Sequence, residues 1–230
     1  MVHLICFLVG MKGLCAVLVF LFCQFCSSIP TKKDVPGFSP IRDDSFAEKY
    51  RPFLLLADKE IPPEKLLYRA SKDAQGNIHL AYHFVWAKEE NTHSGFYPFL
   101  SRNLYTGGLS LQKVLFGKED VELISLVMSP TREILQVTYE IPENYSPSDF
   151  SVKHRTVTEK DNLSFPLVFQ VISWNHLVKR IPSPAKKQLF SLPVRYFDRE
   201  LWREYSMVKD SESTFNRHRA HRLYEREGAN

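Results

Sequence analysis

Alternation of apolar and polar side chains is the dominant pattern between Lys65 and Trp174. Ile78, Leu80, Tyr82, Phe84 and Trp86 occupy every second position, so on a strand they share one face, with His79, Ala81, His83 and Val85 on the other. Leu67 to Ala70 precede them across the polar segment Lys72 to Asn77, which ends in Gly76-Asn77. Two β-prone runs about such a turn predict a hairpin, with the Ile78 face as core. Val121 to Met128 and Ile134 to Glu140, flanking Ser129-Pro130-Thr131-Arg132, predict a second hairpin. Val152 to Val157 and Leu167 to Trp174 read as further strands separated by the polar Thr158 to Ser164. Helical spacing is confined to Phe96 to Tyr105, Pro184 to Phe190 and Asp198 to Val208, the last placing Leu201, Trp202, Tyr205 and Val208 on one face. The expected fold is α+β and β-rich: an antiparallel sheet or β-sandwich with a few peripheral helices, preceded by one N-terminal hydrophobic segment.

That hydrophobic segment is the sharpest break in composition. Through Cys26 the chain holds one full charge, Lys12, among Leu, Val, Phe, Ile and Cys. A signal peptide starting at Met11 would take Lys12 as its n-region, Leu14 to Phe22 as its apolar h-region and Ser27-Ser28 as the small residues near cleavage. The competing reading is a membrane anchor over Leu4 to Phe25, close to the ~20 residues that a bilayer core requires. Lys12 counts against it, because a charge at mid-bilayer costs about 3 kcal/mol. All four cysteines, Cys6, Cys15, Cys23 and Cys26, lie in this segment. They fit there as small hydrophobes. A lipid anchor on Cys23 or Cys26 is a third reading, although Phe22 and Phe25 stand where such a motif places a small residue. In every version the body is extracytoplasmic, whether secreted, periplasmic or membrane-anchored, and no disulfide staples it.

Four regions are expected: a signal peptide or membrane anchor at 1–28, a spacer and irregular lead-in at 29–64, one β-rich globular domain at 65–208, and a basic C-terminal tail at 209–230. Pro30, Pro36, Gly37 and Pro40 punctuate the spacer. A helical turn within Ser45 to Leu56 is interrupted by Pro52, and Ile61-Pro62-Pro63 makes another break. The tail carries Arg217, Arg219 and Arg222 beside His218 and His221, a cluster suited to an anionic surface. The whole chain is only +4, which is too mild to imply nucleic acid. The expected partner is instead the membrane, through the N-terminal segment or a lipid.

Candidate chemistry is sparse. His79 and His83 have the H-x-x-x-H spacing of zinc ligands on a helix, but on a strand four residues span roughly 13 Å, beyond the reach of one ion. Asp120 and Glu122 follow Gly117-Lys118-Glu119 at a strand entrance and project to the same side, about 7 Å apart. That spacing suits general acid and base work or a divalent cation between them. Polar residues at a strand entrance also commonly face water. Ser173-Trp174-Asn175-His176 sets a hydroxyl, an amide and an imidazole together, although neighbours on a strand face opposite ways, so the string reads as a strand end turning at Asn175-His176. Phe96, Tyr97, Phe99 and Tyr105 are either core or a ligand-facing or lipid-facing patch. Nucleophile-elbow, Walker and dinucleotide-binding glycine motifs are absent.

Ile78 to Trp86 with Tyr82-His83, Gly117 to Glu122, and the following hairpin to Tyr139 together resemble the core of necrosis-inducing and vacuolar-sorting-type domains. Those domains carry an aromatic strand and a later G-x-x-D-W-E-like strand. Here the second reads Asp120-Val121-Glu122, without the tryptophan and without the histidine ahead of it. The likeness covers about a quarter of the chain and implies a β-sandwich and a cation-binding role for Asp120 and Glu122. As a whole the chain resembles exported bacterial envelope proteins, which implies no particular activity. The expectation is a non-catalytic binding or structural domain at the envelope with no cofactor implied. The alternative is a divalent-cation-dependent hydrolase built on Asp120, Glu122 and His83.

Overall fold

A computed structural model describes residues 32–33, 38–57, 60–87, 90–106, 120–182, 189–198, 201 and 225–226. The chain divides into two compact units, Lys32–Glu225 and Met1–Thr31 with Arg226–Asn230, and the fold described is that of the first. The hydrophobic leader, Gly117 to Glu119, the tail arginines Arg217, Arg219 and Arg222, and nearly all of the helices expected at 184–190 and 198–208 lie outside the described residues.

In chain order the elements are β1 (Lys32–Lys33), β2 (Ser39–Ile41), α1 (Asp44–Lys49), β3 (Phe53–Leu55), β4 (Lys65–Lys72), β5 (Ile78–Trp86), α2 (Phe96–Leu100) running into a π-helical turn (Ser101–Thr106), β6 (Asp120–Met128), β7 (Ile134–Glu143), β8 (Lys153–Glu159), β9 (Val168–Val171), β10 (Val178–Ile181) and β11 (Val194–Tyr196). Strands β4 to β8 form an antiparallel meander in sequence order. The outer edge of β4 is shared end to end by β11, parallel over Leu66 to Tyr68, and β2, antiparallel over Ala70 to Lys72. A smaller sheet runs β10-β9-β3, with β3 parallel to β9. The β-rich α+β architecture expected from alternation is therefore observed, and both predicted hairpins form at their predicted turns.

One core lies between the sheets. Leu80, Tyr82, Phe84 and Trp86 of β5 bury into it with Ile124 and Leu126 of β6, Val137 and Tyr139 of β7, and Phe169 and Val171 of β9. Tyr139 meets Phe169 edge to face across the two sheets, ring centroids 5.2 Å apart. The other face of β5 is covered too: Ala81 and Val85 bury with Leu67 and Phe197, and the His83 ring meets Phe197 edge to face at 4.8 Å. A sheet buried on both faces at this point explains why His79 to Val85 is not uniformly polar. The edge strand β8 is polar and mostly exposed, and its charges discourage pairing with another chain.

The domain begins earlier than the expected boundary at Lys65. Asp43 caps α1 by accepting the Phe46 backbone N–H at 2.9 Å, and Asp44 and Lys49 complement the helix dipole at its two ends. The helix stops at Tyr50, where Pro52 restricts the residue before it. Phe46, Ala47 and Leu54 are buried in the main core, β3 pairs with β9, and Leu54 bridges Phe190 in both directions. The lead-in looked irregular because its elements are only three to six residues long, too short to show a period.

Two turns meet at the far end of the meander. Gly76 has φ +85°, and a Cβ there would come within 3.4 Å of Pro130 in the neighbouring turn. Asp73 braces the same turn, accepting from the backbone N–H of Gln75 and of Asn77.

Candidate functional site

At the opposite end of the meander, Trp86 closes β5 and Asp120 opens β6 directly across from it. Register then fixes faces. Asp120 and Glu122 share the face of Trp86 and Phe84, and both are buried, 5% and 6% exposed. They project to the same side, as their spacing predicted, but into the core and not toward water. His83 belongs to the opposite face, against Phe197, so the structure does not bring it to the two carboxylates. Among the described residues no group of three or more His, Cys, Asp or Glu side chains could hold a metal ion.

The partner that Asp120 does find is His176, whose Nδ1 lies 2.8 Å from Asp120 Oδ2, with both side chains about 5% exposed. An ionised Asp120 accepts from Nδ1–H, which fixes the imidazole tautomer and leaves Nε2 as the ring's other hydrogen-bonding atom. The same ring lies flat on Trp86, centroids 4.5 Å apart and planes 7° from parallel. Trp86 in turn donates its Nε1–H to the Ile61 carbonyl at 3.0 Å. Trp86 thus holds both the imidazole and the connection between β3 and β4.

His176 reaches this place because Ser173-Trp174-Asn175-His176 is the turn of the β9–β10 hairpin. The His176 N–H donates to the Ser173 carbonyl at 3.0 Å, and Ile172 N–H to the Leu177 carbonyl at 3.0 Å. His176 itself has φ +63°, a left-handed conformation that costs a residue with a Cβ about 1–2 kcal/mol. Such a residue persists only where its surroundings over-determine it, which is common at functional positions. Here the surroundings are Asp120, Trp86 and a polar network behind the turn. Ser173 Oγ donates to Asn175 Oδ1 at 2.6 Å and accepts from Leu177 N–H at 3.1 Å. Asn175 Nδ2 reaches His154 Nε2 at 3.0 Å, and His154 Nδ1 reaches Glu140 Oε2 at 2.8 Å.

A cavity of about 400 Å³ opens on this turn. Its walls are the stretch 170–174 with His176, then Glu60 and Ile61, Glu90 and His93, and Tyr145 with Pro147. The outer wall is tied down: buried Asn91 donates through Nδ2 to the carbonyls of Pro147 and Asp149, both at 3.1 Å, and Arg102 donates to the His93 carbonyl at 2.8 Å. Tyr145 is fixed by its hydroxyl, which accepts the Trp174 backbone N–H at 3.3 Å. Burial pushes the Glu60 carboxyl above the ordinary carboxylate range, and His176 and His93 pull it back in part.

Of the residues singled out from sequence, Asp120 and His176 converge, and His176 lines the cavity. Glu122 lies one step deeper on the same face, and His83 and His79 belong elsewhere. His79 pairs with Asp73 at 2.9 Å in the far turn. Phe96, Tyr97 and Phe99 are 69%, 60% and 56% exposed, so they form a surface patch and no core. Glu60, His93 and Tyr145 carried no sequence signal, since each stands in a connection without period or motif. Comparison with known proteins adds no relative: no family model, curated protein or solved structure matches the chain.

Proposed function

We propose that the chain is an exported, non-catalytic binding domain whose ligand site is the cavity above the Asp120–His176 pair. The observation that carries this is the cavity itself. It is of small-molecule size, walled by four separate segments of the chain, three of which supply apolar side chains, with a few polar groups converging on it. Among the described residues the hydroxyl on the cavity wall nearest His176 in sequence, Ser173 Oγ, gives its proton to Asn175 Oδ1, so it is not paired with the imidazole as a nucleophile with its base. The hydrolase alternative rests on Asp120 and Glu122, and among the described residues no group of three or more His, Cys, Asp or Glu side chains could hold a metal ion.

Blocking the cavity tests the binding reading. Ala57 lies at its exposed rim, and Ala57→Trp should fill it without entering the core. Members of a mixed set of neutral and charged fragments should raise the thermal midpoint of the wild-type chain and leave Ala57→Trp unmoved. Equal shifts in both proteins, or none in either, would remove the cavity as a ligand site.

Export is supported by the apolar leader with Lys12 as its only charge. Among the described residues no helix is long and apolar enough to cross a membrane. Mass spectrometry of the mature N-terminus should find a new terminus near Ile29. Acylated Cys23 or Cys26 would indicate a lipid anchor, and a terminus retained at Met1 or Met11 would count against cleavage.

A further inference from the structure

We infer that His176 Nε2 is the atom that reads the ligand of this cavity, and that the ligand presents a hydrogen-bond donor to it, a hydroxyl or N–H carried on an apolar body. The inference rests on the binding reading above and deepens it by naming the ligand's chemistry.

The ring is fixed before anything binds. Asp120 Oδ2 holds Nδ1 at 2.8 Å, Trp86 lies flat against the ring with planes 7° from parallel, and the hairpin turn sets the His176 backbone at φ +63°. What remains is Nε2. The side chain is only 5% exposed, and among the described residues no hydrogen bond reaches Nε2. Yet Nε2 is not one of their buried side-chain atoms left without a partner. It is therefore an accessible nitrogen on an otherwise covered ring, and the void that His176 borders is the cavity.

The ligand's chemistry follows from the tautomer. With Nδ1–H given to the Asp120 carboxylate, the neutral imidazole carries its lone pair at Nε2 and accepts there. Water solvates such a nitrogen, and a ligand that fills the cavity displaces it. A ligand with a donor replaces the lost bond, whereas one without a donor buries an unpaired acceptor. A site with an oriented acceptor thus rejects the isostere that lacks the donor. Ile61, Val171 and Ile172 on the wall suit the apolar body.

Para-fluorophenol and para-fluorotoluene have nearly one shape and differ by a hydroxyl exchanged for a methyl group. Their fluorine resonances give the affinity of each for the full chain. Labelling the eight histidines with the heavy nitrogen isotope reads the ring nitrogens, His176 being assigned through its own backbone. At mildly alkaline pH, which favours neutral imidazole, the ligand-free chain should show His176 protonated at Nδ1 and bare at Nε2. Para-fluorophenol should bind about tenfold tighter than para-fluorotoluene, the ratio expected when a wall acceptor is otherwise left unpaired, and it should shift the His176 Nε2 resonance. The preference should vanish in His176→Phe, whose ring can still stack on Trp86. If that variant does not fold, the wild-type nitrogen spectrum decides alone. Equal affinities, a preference that survives His176→Phe, or an Nε2 that stays unmoved or carries the proton in the ligand-free chain would each overturn the donor inference and leave the cavity standing as a site of other chemistry. If neither compound binds while other fragments raise the thermal midpoint, the donor inference fails alone. If no fragment does, it falls together with the binding reading.

Discussion

A chain begun at Lys65 should not fold to a cooperative domain, and its urea titration should lack the sigmoidal transition expected of a chain begun at Phe38. Deletion to Lys65 removes β2, α1 and β3, and with them Phe46, Tyr50, Leu54 and Leu55, all buried. At about 1.5–3 kcal/mol for each large apolar side chain, the loss approaches the whole stability of a typical domain, about 5–15 kcal/mol. Polar consequences add to it. Tyr82 loses the Ala47 carbonyl that its hydroxyl meets at 2.6 Å, Tyr68 loses Asp44 at 2.5 Å, and the β9 edge that paired with β3 is exposed. A clean transition from the shorter chain, with its midpoint within a few tenths molar of the longer one, would show that the lead-in is an appendage.

That result bears on what the sequence could disclose. The meander was readable because β4 to β7 are eight to ten residues long and alternate over that length, so the period accumulates. The small sheet was not. Phe53 to Leu56 is a continuous apolar run behind a proline, and its pairing partner, Val168 to Gln170, is chosen by tertiary contact far along the chain. Strand β9 itself was visible, but not that it leaves β8 for the second sheet, because its partners β3 and β10 are chosen by tertiary contact.

The site divides in the same way. Asp120 and Glu122 could be picked out by spacing alone, and their shared side followed from strand geometry. Their burial could not be read, because it depends on which face of β6 meets the second sheet. His83 was matched to them as a neighbour, and only the register Trp86 to Asp120 shows that it points the other way. The turn at Asn175-His176 was legible as a strand end, but φ +63° at His176 swings the ring onto Trp86, a placement that no periodicity in sequence can carry.

Trp86 joins the fold to the site, so its replacement should show both at once. Trp86→Ala should lower the unfolding free energy by about 3–5 kcal/mol, the range for truncating a fully buried aromatic, read from urea midpoints at constant slope. The side chain has no exposed surface, its ring tilts against Phe84 at 6.0 Å, and its indole N–H holds the Ile61 carbonyl. Trp86→Phe separates the two roles. It keeps most of the packing and removes the indole donor, so stability should fall by about 1–3 kcal/mol, the cost of a lost buried hydrogen bond together with a smaller ring. The fragment-induced thermal shift should diminish in Trp86→Phe more than this modest destabilisation accounts for, because Ile61 and its neighbour Glu60 are released from the cavity wall while His176 keeps only a smaller ring to stack on. If Trp86→Ala costs under about 1 kcal/mol, the burial assigned to Trp86 is wrong. If Trp86→Phe binds fragments as the wild type does, the Ile61 bond does not position the site, and the cavity is held by the turn and the Asn91 contacts alone.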